Sequence, residues 1–255
     1  MIKAVIFDFG QTLVDSADGF RAAEKEAQAR IYPDFKNTSW TTFLKTYRKV
    51  RREYQEKSIF SRKTIWQEIY NRLNCRPVSG FLEKFESDYW ETVNDRSRIF
   101  PEAEAVLTNL AGRYQLALIT NTQGQKNAGT HRISQFPKLE QYFEVIVVAG
   151  EQGVPPKPDP VPFQLCLEKL GIKPDESVYV GDDWRIDIRG AGDMGMHPVW
   201  LKHETVPRNW PSVETKVPVI HRLDQLLDLD RLLGTAENRE KDQKNENCGK
   251  NPASV

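Results

Sequence analysis

The sequence predicts an α/β protein, a doubly wound parallel sheet interrupted near its start by an all-helical insertion. Three observations carry that reading. Short continuous apolar runs recur at residues 4–7, 114–119, 145–148, 178–180 and 199–201. Such runs, lacking polar alternation, are the pattern of parallel strands buried on both faces. Helical patterns alternate with the runs after residue 99, the rhythm of successive strand–helix–strand units. Between residues 16 and 98 the strand signal is absent and apolar residues recur at helical spacing instead.

The first run ends directly at Asp8, which puts a carboxylate at the carboxyl end of a buried strand. The insertion reads as four amphipathic helices near 17–31, 39–57, 62–74 and 79–95. Trp40, Phe43, Tyr47, Trp66, Ile69 and Tyr70 are assigned to their shared core, and Arg48, Lys49, Arg51 and Arg52 to a solvated helix face, with an anion-attracting patch as the second reading. Pro101 opens the next helix, which stops near Gly112. The run 114–119 leads into Thr120-Asn121, and 145–148 into Ala149-Gly150. A helix over 160–170 has Pro160 at its first position, Gly171 just past its end and Pro174 beyond. The run 178–180 ends in Gly181-Asp182-Asp183, and 199–201 follows Pro198. Ligands of doubly wound sheets bind beyond the carboxyl ends of the strands, so Asp8, Thr120, Asn121, Asp182 and Asp183 are expected along one edge. The α/β core is placed at 1–15 and 99–234 and the helical insertion at 16–98. Residues 235–255, charged and amide-rich with almost no apolar residue, are expected to be a disordered tail.

Lys and Arg total 36 and Asp and Glu 36, so overall charge points to neither nucleic acid nor an anionic membrane as partner. No apolar stretch approaches the roughly 20 residues of a membrane span, and the N-terminal run is too short for a signal peptide. Cys75, Cys166 and Cys248 show no paired spacing and read as structural and tail thiols, not as a disulfide framework or zinc site. The expected compartment is the cytoplasm, where the Asn37-Thr38-Ser39 sequon has no use. Residues 190–195 fit the dinucleotide fingerprint G-x-G-x-x-G, but begin well after their strand, so the glycines are read as letting a helix pack closely on the sheet.

Four stretches along the proposed edge bear a resemblance to one family. Val5-Ile6-Phe7-Asp8-Phe9-Gly10-Gln11-Thr12-Leu13 is similar to the first motif of the haloacid dehalogenase superfamily, hhhDxDGTL. Leu118-Ile119-Thr120-Asn121 is similar to the second, Lys157-Pro158-Asp159-Pro160 to the third, and Val180-Gly181-Asp182-Asp183 with Asp187 to the fourth. An insertion just after the first motif resembles the branch with a small helical cap. The resemblance implies a Rossmann-like core and a magnesium-dependent hydrolase of a small phosphorylated metabolite, working through an aspartyl-phosphate. It implies that Asp8 is the nucleophile and that Asp8, the Gly10 carbonyl and Asp182 hold Mg2+, with Asp183 and Asp187 orienting metal-bound water. Thr120, Asn121 and Lys157 would bind the phosphoryl group beside Phe9, Gly10 and Thr12.

The chemistry gives these residue types a reason. Phosphoryl transfer is mostly positioning and charge compensation, and a carboxylate nucleophile splits hydrolysis into two in-line displacements. Asp182, Asp183 and Asp187, three carboxylates within six residues, repel one another unless a cation joins them. One departure stands out, since the superfamily's phosphatases usually carry a general acid at the position of Gly10. Two other readings therefore stay open: a metal-independent 2-haloacid dehalogenase-type hydrolase, and a catalytically impaired module that binds a phosphorylated ligand.

Overall fold

A computed structural model describes residues 1–121, 132–150, 153–206 and 209–234. The expected tail at 235–255, with Cys248, lies outside the described residues. Among the described residues the main sheet has six parallel strands in the order β5–β4–β1–β6–β7–β8. These are β1 (Ala4–Phe7), β4 (Gln115–Asn121), β5 (Val145–Ala149), β6 (Ser177–Gly181), β7 (His197–Leu201) and β8 (Val219–Ile220). All four β1 residues are buried. Val5 and Phe7 enter the core on one face, while Ala4 and Ile6 enter the core on the other. Coverage of both faces is why this strand is apolar throughout.

From β1 the chain winds through β4 to β5 on one side, then returns to β6 and continues through β7 to β8 on the other. The switch point therefore falls between β1 and β6, paired from Ala4–Ser177 to Phe7–Val180. Asp8 and Asp182 leave these two strands side by side. Among the described residues three helices flank the later strands, α5 (Ala103–Ala111), α7 (Pro160–Leu170) and α8 (Arg189–Asp193), with the single turn α6 (Pro137–Glu140) before β5. The Asp159 side chain caps α7 by accepting from the Val161 amide at 3.0 Å, and Gly171 ends it at a φ of 67°.

The helical stretch comprises α1 (Ala17–Ile31), α2 (Trp40–Glu56), α3 (Arg62–Arg72) and α4 (Phe81–Asp95). Its core is separate from those of the sheet and contains Phe43, Tyr47, Trp66, Ile69 and Tyr70. Trp40, expected there too, is 42% exposed at the first residue of α2. Ser39 and Ser61 cap α2 and α3 by accepting from Thr42 and Thr64 amides. A two-stranded antiparallel ribbon, β2 (Val14–Asp15) with β3 (Arg98–Ile99), marks where the chain enters and leaves the helices.

Helices α1 and α4 meet at Gly19, where an added Cβ would lie 2.5 Å from the Val93 carbonyl oxygen. Gly19→Ala is expected to destabilise the protein by about 1–3 kcal/mol through overpacking, outweighing the roughly 1 kcal/mol gain in helix propensity. Urea unfolding measures the sign; a stabilised variant would mean that α1 slides away at little cost.

Three expectations shift. The helix opened by Pro101 starts at Ala103, because Pro101 and Glu102 form a turn. Gly190 does serve close packing, but against α7 and its approach, not the sheet: an added Cβ would lie 2.8 Å from the Phe163 ring and 3.4 Å from Pro158. Of the basic cluster on α2, Arg48, Lys49 and Arg52 are exposed as expected, whereas Arg51 is partly buried. Cys166 is buried and Cys75 partly so. Among the described residues no helix is long and apolar enough to cross a membrane.

Candidate active site

Asp8 sits where β1 ends and is 8% exposed. Behind it lies Lys157, wholly buried, whose three Nζ protons are shared among Asp8 Oδ1 at 2.8 Å, Asp187 Oδ1 at 2.7 Å, the Tyr179 hydroxyl at 2.8 Å and the Ile119 carbonyl at 2.9 Å. Burial alone would lower the lysine's pKa, but the Asp187 and Asp8 carboxylates outweigh it and hold the ammonium well above its ordinary range. Lys157 is itself fixed through its backbone. Its N–H donates to Asn121 Oδ1 at 2.7 Å, and its carbonyl accepts from Asn121 Nδ2 at 3.1 Å. Thr12 donates to Asp8 Oδ2 at 3.3 Å.

The turn after β6 supplies the other carboxylates. Asp8, Asp182 and Asp187 each bring an oxygen within 4.8 Å of the others. Burial, reinforced by the charges of Asp8 and Asp183, pushes Asp187 up to about 7 against the pull of Lys157. Gly181 is required here, since a Cβ would lie 2.5 Å from Asp187 Cβ. Lys157 sets one positive charge at bonding distance from Asp8 and Asp187, and the three gathered carboxylates outnumber it. That excess, presented by hard oxygen donors, fits a divalent cation of the magnesium type.

Asp183 turns its Oδ1 to cap the following segment, accepting from the Arg185 and Ile186 amides at 2.9 and 3.1 Å. Its own amide donates to Asp187 Oδ2 at 3.0 Å. Its carboxylate stands outside the three-carboxylate group. The capped segment, Trp184–Ile188, is a single π-helical turn. From it Arg185 reaches the end of α2, donating to the Gln55 carbonyl at 2.8 Å, the Glu56 carbonyl at 3.2 Å and the Ser58 hydroxyl at 3.1 Å.

Above the carboxylates is a cavity of about 220 Å³, lined from below by Asp8, Gly10, Thr120, Asn121, Asp182 and Asp187 and from the helices by Phe20, Arg51, Gln55 and Arg62. Arg132 also lines it. Its guanidinium joins both crossings between sheet and helices, donating to the Ser16 hydroxyl at 2.5 Å, the Ser97 hydroxyl at 2.9 Å and Asn94 Oδ1 at 3.0 Å. Burial lowers its pKa to about 10, against the opposing influence of Tyr89 and then Asp8.

The residues singled out in the sequence thus converge, with differences of role. Asn121 spends its amide side chain on clamping Lys157. The Phe9 ring packs edge-on against Phe136 at 5.7 Å, and the residue, 1% exposed, lines the cavity. Thr12 and Lys157 support Asp8 from behind and do not line the cavity. Arg132, Tyr179 and Arg62 were not foreseen as site residues, and Arg51 was read with its neighbours as a solvated helix face ahead of an anion-attracting patch. Tyr179 occupies an apolar strand and reads as core, and the arginines belong to no motif.

The class this defines is a doubly wound α/β protein whose acidic centre opens at the sheet's switch point. Comparison with known proteins makes the assignment narrower: the chain belongs to the haloacid dehalogenase-like hydrolase family, whose model matches residues 2–195. It is similar to the N-acylneuraminate-9-phosphatase of Homo sapiens, 27% identical over 237 residues that cover 86% of this chain and 93% of the relative. The phosphoglycolate phosphatase of Yersinia pestis is 31% identical over 204 residues, covering 79% and 82% of the two chains. In fold it resembles a 2-haloacid dehalogenase from Pseudomonas syringae pv. Tomato, with a TM-score of 0.61, 24% identity and coverage of 92% and 99%.

Proposed function

We propose that this chain is a magnesium-dependent hydrolase of a small phosphorylated metabolite, acting through an aspartyl-phosphate on Asp8, with α1–α4 as a cap over the site. The observation that carries the reading is the meeting of Asp8, Asp182 and Asp187 within 4.8 Å beside the Lys157 ammonium. Relatives named as phosphatases support the same class. A cavity of about 220 Å³ suits a ligand below drug size, for which pockets run to roughly 300–1,000 Å³.

Asp8, Asp182 and the Gly10 carbonyl would hold the ion, with Asp187 anchoring its water shell. Bound magnesium offsets the phosphoryl charge, so that an anionic nucleophile can approach it. The Asp8 carboxylate attacks phosphorus in line: its O–P bond forms as the ester O–P bond breaks, and the leaving oxygen takes a proton from solvent because Gly10 carries no acid. Thr120 and the Asn121 backbone donate hydrogen bonds to the phosphoryl oxygens, and Lys157 holds Asp8 in place. Water then attacks the acyl phosphate, loses its proton to solvent, and releases inorganic phosphate with Asp8 restored.

The test is phosphate release from a panel of phosphate esters, with and without chelator. Release that chelation suppresses and added magnesium restores is expected. Chloride release from 2-chloropropionate in chelator, with every phosphate ester untouched, would overturn the reading in favour of a dehalogenase. Retention of phosphate esters without turnover would instead favour a binding module.

A further inference from the structure

The helical side of the cavity carries a charge arrangement that hydrolysis of a phosphate ester does not by itself require. Arg51, near the end of α2, and Arg62, the first residue of α3, both line the cavity. Between them lies one carboxylate, Glu24, with Arg62 Nε at 3.2 Å and an Arg51 terminal nitrogen at 3.6 Å, both from Oε1. Glu24 is already heavily engaged: Oε1 accepts from the Tyr89 hydroxyl at 3.0 Å and Oε2 from the Tyr47 hydroxyl at 2.8 Å. The Tyr47 hydroxyl in turn accepts from Trp66 Nε1 at 3.1 Å. Burial would raise Glu24, but Arg62 and then Arg51 outweigh it and hold it below the usual carboxylate range, so it stays charged. Two guanidinium groups thus share one saturated carboxylate.

The donors are also incompletely used. The buried Nε atoms of Arg51 and Arg62 make no hydrogen bond; the 3.2 Å approach of Arg62 Nε to Glu24 is an ion-pair distance without hydrogen-bond alignment. A buried donor without an acceptor is costly, and here the cost falls on side chains that face an open cavity. Tyr89 acts on both Arg62 and the third arginine of the cavity, Arg132, but the carboxylate acting on Arg132 is Asp8, whereas the one acting on Arg62 is Glu24. Arg132 belongs to the Asp8 end and Arg51 and Arg62 to the other.

We propose that Arg51, supported by Arg62 and Glu24, forms a second anion subsite that selects phosphate esters bearing another acidic group, a carboxylate or a second phosphate, away from the ester that is cleaved. This deepens the phosphatase reading and rests on it. The cavity volume of about 220 Å³ keeps the two acidic groups a few bonds apart, so the substrate class is a short phosphorylated acid or short bisphosphate. Arg51 is the contact residue, with its side chain 35% exposed, and Arg62, 4% exposed, is the positioning residue that keeps Glu24 ionised and in place.

The experiment measures kcat/KM for three two-carbon esters, 2-phosphoglycolate, ethylene glycol bisphosphate and ethyl phosphate, in wild type, Arg51→Gln and Arg62→Lys. Wild type is expected to favour at least one acidic ester over ethyl phosphate, and the favoured one tells carboxylate from phosphate. In Arg51→Gln that preference falls by about 10- to 100-fold, the range of a charge-assisted hydrogen bond, and the loss appears mainly in KM. Comparing one ester pair across variants cancels differences in leaving-group chemistry. Arg62→Lys keeps a charge beside Glu24 and protects folding, which thermal melting checks, yet loses the planar fork, so it also lowers the preference. Equal use of neutral and acidic esters by wild type, or a preference that survives both substitutions, overturns the subsite and leaves the phosphatase reading standing. Absence of phosphate release from every ester in wild type removes that reading, and the subsite with it.

Discussion

Asp8→Asn is expected to abolish phosphate release while leaving the fold intact. The amide is nearly isosteric with the carboxylate but is a poor nucleophile, and loss of a nucleophile acting within a catalytic unit costs on the order of 10⁶-fold in other hydrolases. Lys157 loses one ion pair, though the amide oxygen still accepts from it, and keeps the Asp187 carboxylate, the Tyr179 hydroxyl and the Ile119 carbonyl. The substitution also removes one of three carboxylates crowded within 4.8 Å. These effects oppose each other, so the melting temperature should move little. Two measurements check the role. Phosphate release falls to background, and acid-quenched wild type carries a phosphoryl group on the peptide that holds Asp8, which the variant lacks. Turnover in the variant near the wild-type rate would remove Asp8 from the chemistry.

What the sequence made legible follows from how each feature is encoded. The strand bearing Asp8 is fully apolar because both faces of β1 are covered, and its carboxylate falls where the burial ends. Asp182 and Asp187 stand only five residues apart, so one turn suffices to gather them. The ribbon of β2 and β3 has two residues in each strand, too few to show any period, and neither could be read before the pairing Val14–Ile99 and Asp15–Arg98 was seen. Asp183 looked like its acidic neighbours in sequence, yet its position just before a helical turn gives its carboxylate the capping role. Arg132 meets Ser16 and Ser97 across 116 and 35 residues, and a contact of that kind leaves no local pattern. Arg51 was masked by Arg48, Lys49 and Arg52, three arginine or lysine neighbours that do face solvent. Only the angular position of each residue on α2 separates the one that turns inward.

Gly10→Asp is the change expected to raise activity. The phosphatases of the resembled superfamily usually place a second aspartate here, where a positioned acid protonates the leaving oxygen and is worth about 10²–10⁴-fold. Two conditions decide whether a side chain can enter: space and backbone conformation. An added Cβ at Gly10 meets nothing within 4 Å, and Gly10 is not among the glycines with positive φ. The positive φ in this turn belongs to the next residue, Gln11, at 63°. Aspartate therefore enters without the strain that a left-handed glycine would impose. Gly10 also lines the cavity with Asp8, which puts the new carboxyl group on the reacting side. Wild type, without an acid, should depend steeply on leaving-group pKa and cleave aryl or acyl phosphates much faster than alkyl ones. In Gly10→Asp the alkyl phosphates should gain up to about 10²–10⁴-fold while activated esters gain far less, flattening that dependence. A plot of log kcat/KM against leaving-group pKa for both proteins reads the effect directly. A flat wild-type plot with chemistry rate-limiting would mean that another group already supplies the proton, and Gly10→Asp would then bring no gain.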